Sequence, residues 1–499
     1  MVHRLQLYGM MFLVAFTPLA FGATETWSTA LMVVTVWLLM LAHVGHAVKA
    51  GALTFHNADL HGLSLLFTVF VFVQIIPIPA NLWTYEWLGF KRTTLSVDSY
   101  AGGLAAIKVL CYSMVFYLSS HIFAESEPHV PRATPTPTAP QERLYQLVHF
   151  ILYFSFGLAV FGLIQHFAFD GRIYGIKELS MGGSPFGPFV NRNHFAGYME
   201  LVAPLAFSLT LYGTEWRDHR PLYGFITVIL CAALVFSQSR MGIICLAVQL
   251  ALLGFLLHRK RSSKQARLRI IGALLLLVVL VTGVVVWLGP RPVIVRLATL
   301  TSFQSDLWLP GRYEVWRGAF QIFKDFKVAG SGLGTFPIMY PIYKSRPTDA
   351  IYFEAHNDYL QILSETGLIG AGLLLLFAVL TLARALRLMR GEAYGAMRAI
   401  RGGAVVGCCG LLMHSLVDFN LQIPSNAFLF SMLAGFALLP KPSRPHEWRE
   451  EDTYHPRGRR GSMPSSLVKG MFAWKLDNVC SASGLSPTRE SQNNVRSIL

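Results

Sequence analysis

Apolar residues in this chain come in long unbroken runs, not at the spacing of a half-buried helix or strand. Each run approaches the roughly 20 residues that a helix needs to cross a bilayer core. The runs fall near 6–22, 27–50, 61–77, 100–123, 143–168, 194–212, 221–236, 240–257, 268–288, 367–389, 398–417 and 424–440. The pattern predicts an all-α protein, a polytopic transmembrane helix bundle of about twelve spans. One interruption, 290–366, is too long for a connector, and its aromatic, glycine and charged content predicts a folded cap of short helices. Residues 1–440 then form the membrane domain. After Pro440 the chain turns to Pro, Ser, Arg and Asn, which predicts a largely disordered tail over 441–499.

Composition supports lipid as the solvent. The chain has 499 residues, of which 53% are hydrophobic and 14% charged, and its mean hydropathy is +0.47; a soluble domain could not bury that much apolar surface. The formal net charge of +15 sits in short loops and the tail, so it reads as an orientation signal and not as a nucleic-acid surface. Arg259, Lys260, Arg261, Lys264, Arg267 and Arg269 follow the eighth run without an acidic residue, which makes that loop cytoplasmic. By parity both termini are cytoplasmic too. The first run resembles a signal peptide, but its cleavage would leave the downstream orientation unchanged. Parity collects 169–193, the Ser237–Arg240 turn, the cap and 418–423 on the opposite side, where the unusual polar residues are. Six cysteines give neither a disulfide framework nor a zinc spacing. No internal repeat supports a transporter built from two halves.

The segment His356-Asn357-Asp358-Tyr359-Leu360 through Glu365-Thr366-Gly367 ends the cap and leads into an apolar run. On helical spacing Leu360, Leu363 and Gly367 share a face with His356, which would anchor an imidazole at the membrane surface. Such a histidine serves either as a base for a hydroxyl or as an interfacial helix cap. Arg240, after Ser237-Gln238-Ser239, is a membrane-edge arginine whose fork matches a pyrophosphate; the alternative is a contact to lipid phosphate. Arg312, followed by Trp316 and Arg317, is a second guanidinium on a helix face backed by an aromatic, or one half of a salt bridge to Glu314.

Asn191, Arg192, Asn193 and His194 open the sixth run and suit either glycan binding or capping of a helix start. His414 and Asp418 are four apart, a spacing open to a metal, a tuned proton or a helix-end hydrogen bond. No third or fourth ligand has a recognisable spacing, so no metal is expected there. Gly330-Ser331-Gly332-Leu333-Gly334 lacks the last glycine of a dinucleotide pattern and reads as a turn for close helix packing.

In order and spacing, these segments resemble the O-antigen ligase and polymerase family of bacterial membrane proteins over about 150–440. The resemblance implies a GT-C-like glycosyltransferase of the inner membrane with a periplasmic site. It would move a glycan from a polyprenyl pyrophosphate carrier to a hydroxyl on lipid A core, another glycan or a protein, by inversion and without a metal or other cofactor. It implies surface polysaccharide assembly, with lipopolysaccharide biosynthesis as one setting and undecaprenyl pyrophosphate as a carrier. Arg240 and Arg312 then match the pyrophosphate-binding arginines and His356 the base. Asn191, Arg192, Asn193, His194, Ser239, Asn357, Asp358, Arg317, His414 and Asp418 are the expected substrate-binding neighbours. The bilayer is a partner and nucleic acid is not. A solute transporter is the main reading from another class, and a silent scaffold a third. Polar residues gathered at the outer mouths favour the enzyme.

Overall fold

In the computed structural model each of the twelve apolar runs is a helix. The structure describes residues 2–51, 56–80, 84–87, 90–124, 139–168, 172–176, 184–213, 218–257, 264–298, 308–345, 352–390 and 395–440. The expected tail 441–499, most of the 124–142 loop and the basic stretch 258–263 lie outside them. The membrane helices are α1 (Val2–Leu19), α2 (Thr26–Ala50), α3 (Ala58–Ile75), α4 (Ser99–His121), α5 (Ala139–Ala168), α6 (Arg192–Tyr212), α7 (Arg220–Phe236), α8 (Arg240–Leu257) and α9 (Lys264–Leu288). After α9 comes the cap, with α10 (Arg291–Ala298), α11 (Trp308–Asp325) and α12 (Phe336–Tyr343). The chain then re-enters the bundle as α13 (Asp358–Arg390), α14 (Ala396–His414) and α15 (Pro424–Ala437). Among the described residues, the departures from an all-helical description are a short antiparallel ribbon, Tyr85–Trp87 against Phe90–Arg92, and two isolated bridges in 184–191.

Eight of these helices are long and apolar enough to cross a membrane: α2, α3, α4, α5, α6, α9, α13 and α14. Of the other four, α7 and α15 are shorter, at 17 and 14 residues, whereas α1 has the same 18 residues as α3. At about 1.5 Å per residue, the 14 residues of α15 rise only about 21 Å, less than a bilayer core. The most polar spans lie at the centre. The apolar windows of α6 and α14 are 83% and 78% buried, against 11% for α9 and 17% for α13, whose leucines and valines face outward. Because lipid solvates leucine as well as protein does, close backbone approach must hold the central pair. Gly403 and Gly407 provide it on α14: a Cβ at Gly407 would lie 2.6 Å from the Leu201 carbonyl oxygen on α6.

Two buried arginines of α14 finish other helices. Arg398 donates to the Met389 carbonyl at 2.7 Å, and the fully buried Arg401 donates to those of Ala437 and Leu439 at 2.6 and 2.9 Å. Each guanidinium satisfies the orphaned carbonyls of another helix's last turn.

The cap has a small core of its own, in which Val315, Ala319 and Ile322 of α11 pack on Phe336, Met339 and Tyr340 of α12. The glycine turn before α12 is a packing device, as the sequence predicts. At Gly330, with φ of +75°, a Cβ would stand 2.1 Å from the Glu365 carbonyl carbon, so only glycine lets the cap lie on α13. Glu365 then accepts a hydrogen bond from the Phe336 N–H at 2.9 Å and anchors the start of α12.

Candidate functional site

The site is built where four segments meet under the cap: the start of α6, α11, the 352–358 approach to α13, and the 415–421 turn after α14. Its centre is Asp418. This carboxylate is buried, with Asn193 donating to Oδ2 at 2.5 Å and the Phe419 N–H to Oδ1 at 3.0 Å. Arg312 Nη2 stands 3.5 Å from Oδ2; His356 Nδ1 and His194 Nε2 stand 3.5 and 3.9 Å from Oδ1. The Phe419 ring lies edge-on between the two imidazoles, 4.8 Å from His356 and 4.6 Å from His194. Burial by itself would raise the Asp418 pKa, but the His356 contact and the Arg312 charge outweigh it and hold the carboxyl well below its ordinary range. Asp418 is therefore an anion ringed by five groups, the side chains of Asn193, Arg312, His356 and His194 and the Phe419 N–H.

Arg312 is aimed by its helix. It and Trp316 share a face of α11, as the spacing predicts; Arg312 donates to the Val417 carbonyl, and Trp316 Nε1 donates to the His356 carbonyl at 3.2 Å. Burial pulls the Arg312 pKa down, Asp418 opposes this, and the charge of Arg240 adds to the downward push. The two guanidiniums thus lie close enough to feel each other, with Arg240 itself 9% exposed at the start of α8. Arg312 thus neighbours both the ionised Asp418 and a second cation, Arg240, and two guanidiniums at one end of the bundle suit a polyanion.

His356 is not on the helix whose face was expected to hold it. It precedes α13 with φ of +52°, a left-handed conformation uncommon outside glycine, fixed through its own carbonyl by Trp316. The following residues do the capping: Asn357 Oδ1 accepts the Leu360 N–H at 3.0 Å, and its Nδ2 donates to the Leu416 carbonyl at 2.8 Å. Asp358 ties α13 to the same turn, accepting from Ser415 Oγ at 2.7 Å and from the Leu421 N–H at 3.1 Å.

Other expected residues are placed as follows. Asn191 Oδ1 accepts the Asn193 N–H at 2.9 Å and Ser239 Oγ the Gly242 N–H at 3.2 Å, so both cap helices. Arg192 is half-buried as the first residue of α6, and its N–H donates to the Ser184 carbonyl at 2.7 Å. Arg317 is exposed on another face of α11, about 140° around the helix from Arg312. His414 turns away from Asp418 and hydrogen-bonds Glu200 of α6 at 2.8 Å. With Cys245 these two make the one group of three close ligand-type side chains among the described residues, their donor atoms within 4.8 Å of one another and all buried.

Sequence reasoning missed Glu200, although an acid inside an apolar run is itself a signal. It also missed Asn426, whose Nδ2 joins α15 to the His194 carbonyl at 2.9 Å. No curated protein matches the chain. Residues 225–377, a narrower stretch than the 150–440 of the sequence resemblance, match the family model described as O-antigen ligase. That stretch is thus similar to an O-antigen ligase domain, and Arg240, Arg312 and His356 all fall within it.

Proposed function

We propose that the protein is an inverting, metal-independent glycosyltransferase that moves a glycan from a polyprenyl pyrophosphate to a hydroxyl acceptor at the periplasmic face of the inner membrane. The observation that carries this reading is the convergence of Arg312, His356, His194 and Asn193 on Asp418, with Arg240 beside Arg312. The acceptor oxygen attacks the anomeric carbon as the bond from that carbon to the carrier phosphate breaks. The electron pair leaves on the diphosphate, where Arg240 and Arg312 meet the developing charge.

The proton needs a base. His356 presents Nδ1 to Asp418, and its side chain retains 26% exposure, so Nε2 is the nitrogen left to take the acceptor proton. Asp418 acts as a positioning residue, favouring the Nδ1–H tautomer and stabilising the imidazolium that forms. Asn191, Arg192, His194, Ser239, Asn357 and Asp358 shape the mouth around the sugar, chiefly by holding helix ends in place. His414 and Arg317 lie outside this contact set.

Reconstituted protein supplied with a polyprenyl-pyrophosphate glycan and candidate acceptors should release the diphosphate carrier and form a product inverted at the anomeric carbon. Activity should survive EDTA unchanged. Deleting the gene and comparing lipopolysaccharide, exopolysaccharide and glycoproteins would identify the acceptor. Uptake of a labelled solute into liposomes without glycosyl transfer would replace the enzyme by a transporter.

A further inference from the structure

Glu200, Cys245 and His414 come from three different helices, α6, α8 and α14, and each residue is 0% exposed. Their donor atoms, an oxygen, a sulfur and a nitrogen, all lie within 4.8 Å of one another. Small residues bring the helices this close. A Cβ at Gly242 of α8 would lie 2.9 Å from the Ala196 Cβ of α6, and one at Gly410 of α14 only 1.8 Å from Gln249 Nε2 of α8. Local spacing in the sequence cannot show such a set, because its members come from distant parts of the chain.

The trio is not closed by its own hydrogen bonds. His414 Nδ1 and Glu200 Oε1 share one at 2.8 Å, which leaves Glu200 Oε2 and His414 Nε2 buried without a hydrogen-bond partner. Gln249, one turn beyond Cys245 on α8, is in the same condition. Its Nε2 donates to the Glu200 carbonyl at 2.9 Å and to the Val406 carbonyl at 3.2 Å, while its Oε1 is buried and unpaired. Buried lone pairs are costly to leave unmet, and several of them where three helices meet are what a cation site is made from.

Donor chemistry selects the ion. Mg²⁺ and Ca²⁺ take oxygen ligands, whereas a thiolate, an imidazole and a carboxylate together suit Zn²⁺. Charge agrees with this choice. One thiolate and one carboxylate cancel a divalent ion, so the loaded set is neutral and can be buried among apolar helices. Loading releases two protons, one from the Cys245 thiol and one from the Glu200–His414 pair. A tetrahedral ion bonded at about 2.0–2.1 Å to nitrogen and oxygen and about 2.3 Å to sulfur sets its donors roughly 3.3–3.6 Å apart. The observed separations, from 2.8 Å for the hydrogen-bonded pair to at most 4.8 Å, bracket that range.

We propose that Glu200, Cys245 and His414 bind a structural zinc ion, with Gln249 Oε1 or a water as the fourth ligand. The ion stands outside the reaction but joins the helices that carry it. Arg240 starts α8 five residues before Cys245, Asn193 and His194 lie on α6 ahead of Glu200, and Asp418 follows His414 at the end of α14. One ion would therefore fix the spacing of three site-bearing helices about one to two turns from the mouth. It is sealed from solvent and touches no reacting atom, so turnover indifferent to EDTA is compatible with it.

The test is the metal content of the full chain, purified in detergent without a polyhistidine tag or chelator from cells grown in zinc-replete medium. Elemental analysis should find about one zinc per chain. Cys245→Ala, Glu200→Gln and His414→Gln should each lower that content by about tenfold or more. Cys231→Ala, at another buried cysteine, should not. The Cys245 variant keeps the Glu200–His414 hydrogen bond, so with monodisperse elution it separates loss of the ion from loss of the fold. Wild-type protein from zinc-depleted cells should unfold at a lower temperature than zinc-replete protein, and Cys245→Ala should show no such difference. Cobalt grown in place of zinc should give a thiolate charge-transfer absorption that Cys245→Ala lacks. Wild-type protein free of zinc, or zinc that persists in all three ligand variants and so is held by histidines elsewhere, overturns the proposal and leaves the trio a hydrogen-bonded tie.

Discussion

Two buried acid–histidine pairs lie close together in this bundle, and they differ in what surrounds them. Glu200 and His414 join α6 to α14 by a 2.8 Å hydrogen bond, both side chains 1% exposed or less. Asp418 is equally buried, but its His356 partner is 26% exposed and Arg312 stands against it. The first pair is sealed among side chains and ties the two central helices together. The second has an open imidazole and neighbouring cations, which together allow proton transfer beside a polyanion. Access and the sign of the nearby field, more than residue type, separate a structural pair from a reactive one.

The largest effects should come from the open pair. Replacing His356 by Ala, or Arg312 by Ala, should lower glycosyl transfer by about 10²- to 10⁴-fold with insertion and thermal unfolding near wild type. Initial rates in proteoliposomes would read this, and a His356→Ala enzyme working within a few-fold of wild type would end its assignment as base. The sealed pair should behave in the opposite way. Glu200→Ala leaves His414 buried without its partner and should cost about 3 kcal/mol or more of stability. Transfer per folded molecule should stay within a few-fold; a large loss of turnover with unchanged unfolding would mean that the sealed pair feeds protons to the site.

Asp418 gives a smaller, pH-dependent contrast. Its folded pKa is depressed below the ordinary value near 3.8, so its contribution to stability is present above that value and is lost as pH falls through and below it. Asp418→Asn should therefore be less stable than wild type near neutrality, and the two unfolding curves should converge toward acid pH. The variant should also transfer more slowly, by about 10- to 100-fold, because Asn no longer enforces the Nδ1–H tautomer of His356. Parallel unfolding curves over the whole range would show that Asp418 is not held ionised by its neighbours.

The spans were legible because twenty apolar residues leave a chain few options, and the cap because 290–366 has too much chain for a connector. Arg240 and His356 stood out in the sequence as polar residues at the edges of apolar runs, and Arg312 by its helical spacing from Trp316 within the cap. What could not be read was pairing. His414 and Asp418 are neighbours on any helical wheel, yet α14 ends at His414, so Asp418 turns to Arg312 and His356 while His414 meets Glu200 from 214 residues away. The posture of His356 was hidden for a related reason. Helical spacing cannot reveal a left-handed residue immediately before a helix, and that backbone turn, held by Trp316, sets the imidazole against Asp418.

The smallest effect concerns how that turn is maintained. Asn357 holds α13 at both ends of its amide, capping Leu360 N–H and reaching the Leu416 carbonyl in the turn that carries Asp418. Asn357→Ala should cost about 1 kcal/mol of stability, the usual value of a lost cap. A cap alone would be replaceable by Asp or Ser, which accept as Asn does. Neither restores the donor to Leu416, so Asn357→Asp should recover stability toward wild type while transfer stays depressed by several-fold, separating the helix cap from the spacing between His356 and Asp418. Full recovery of transfer in the Asp variant would show that the segment needs only its helix start, with the bond to Leu416 irrelevant to the placement of the imidazole.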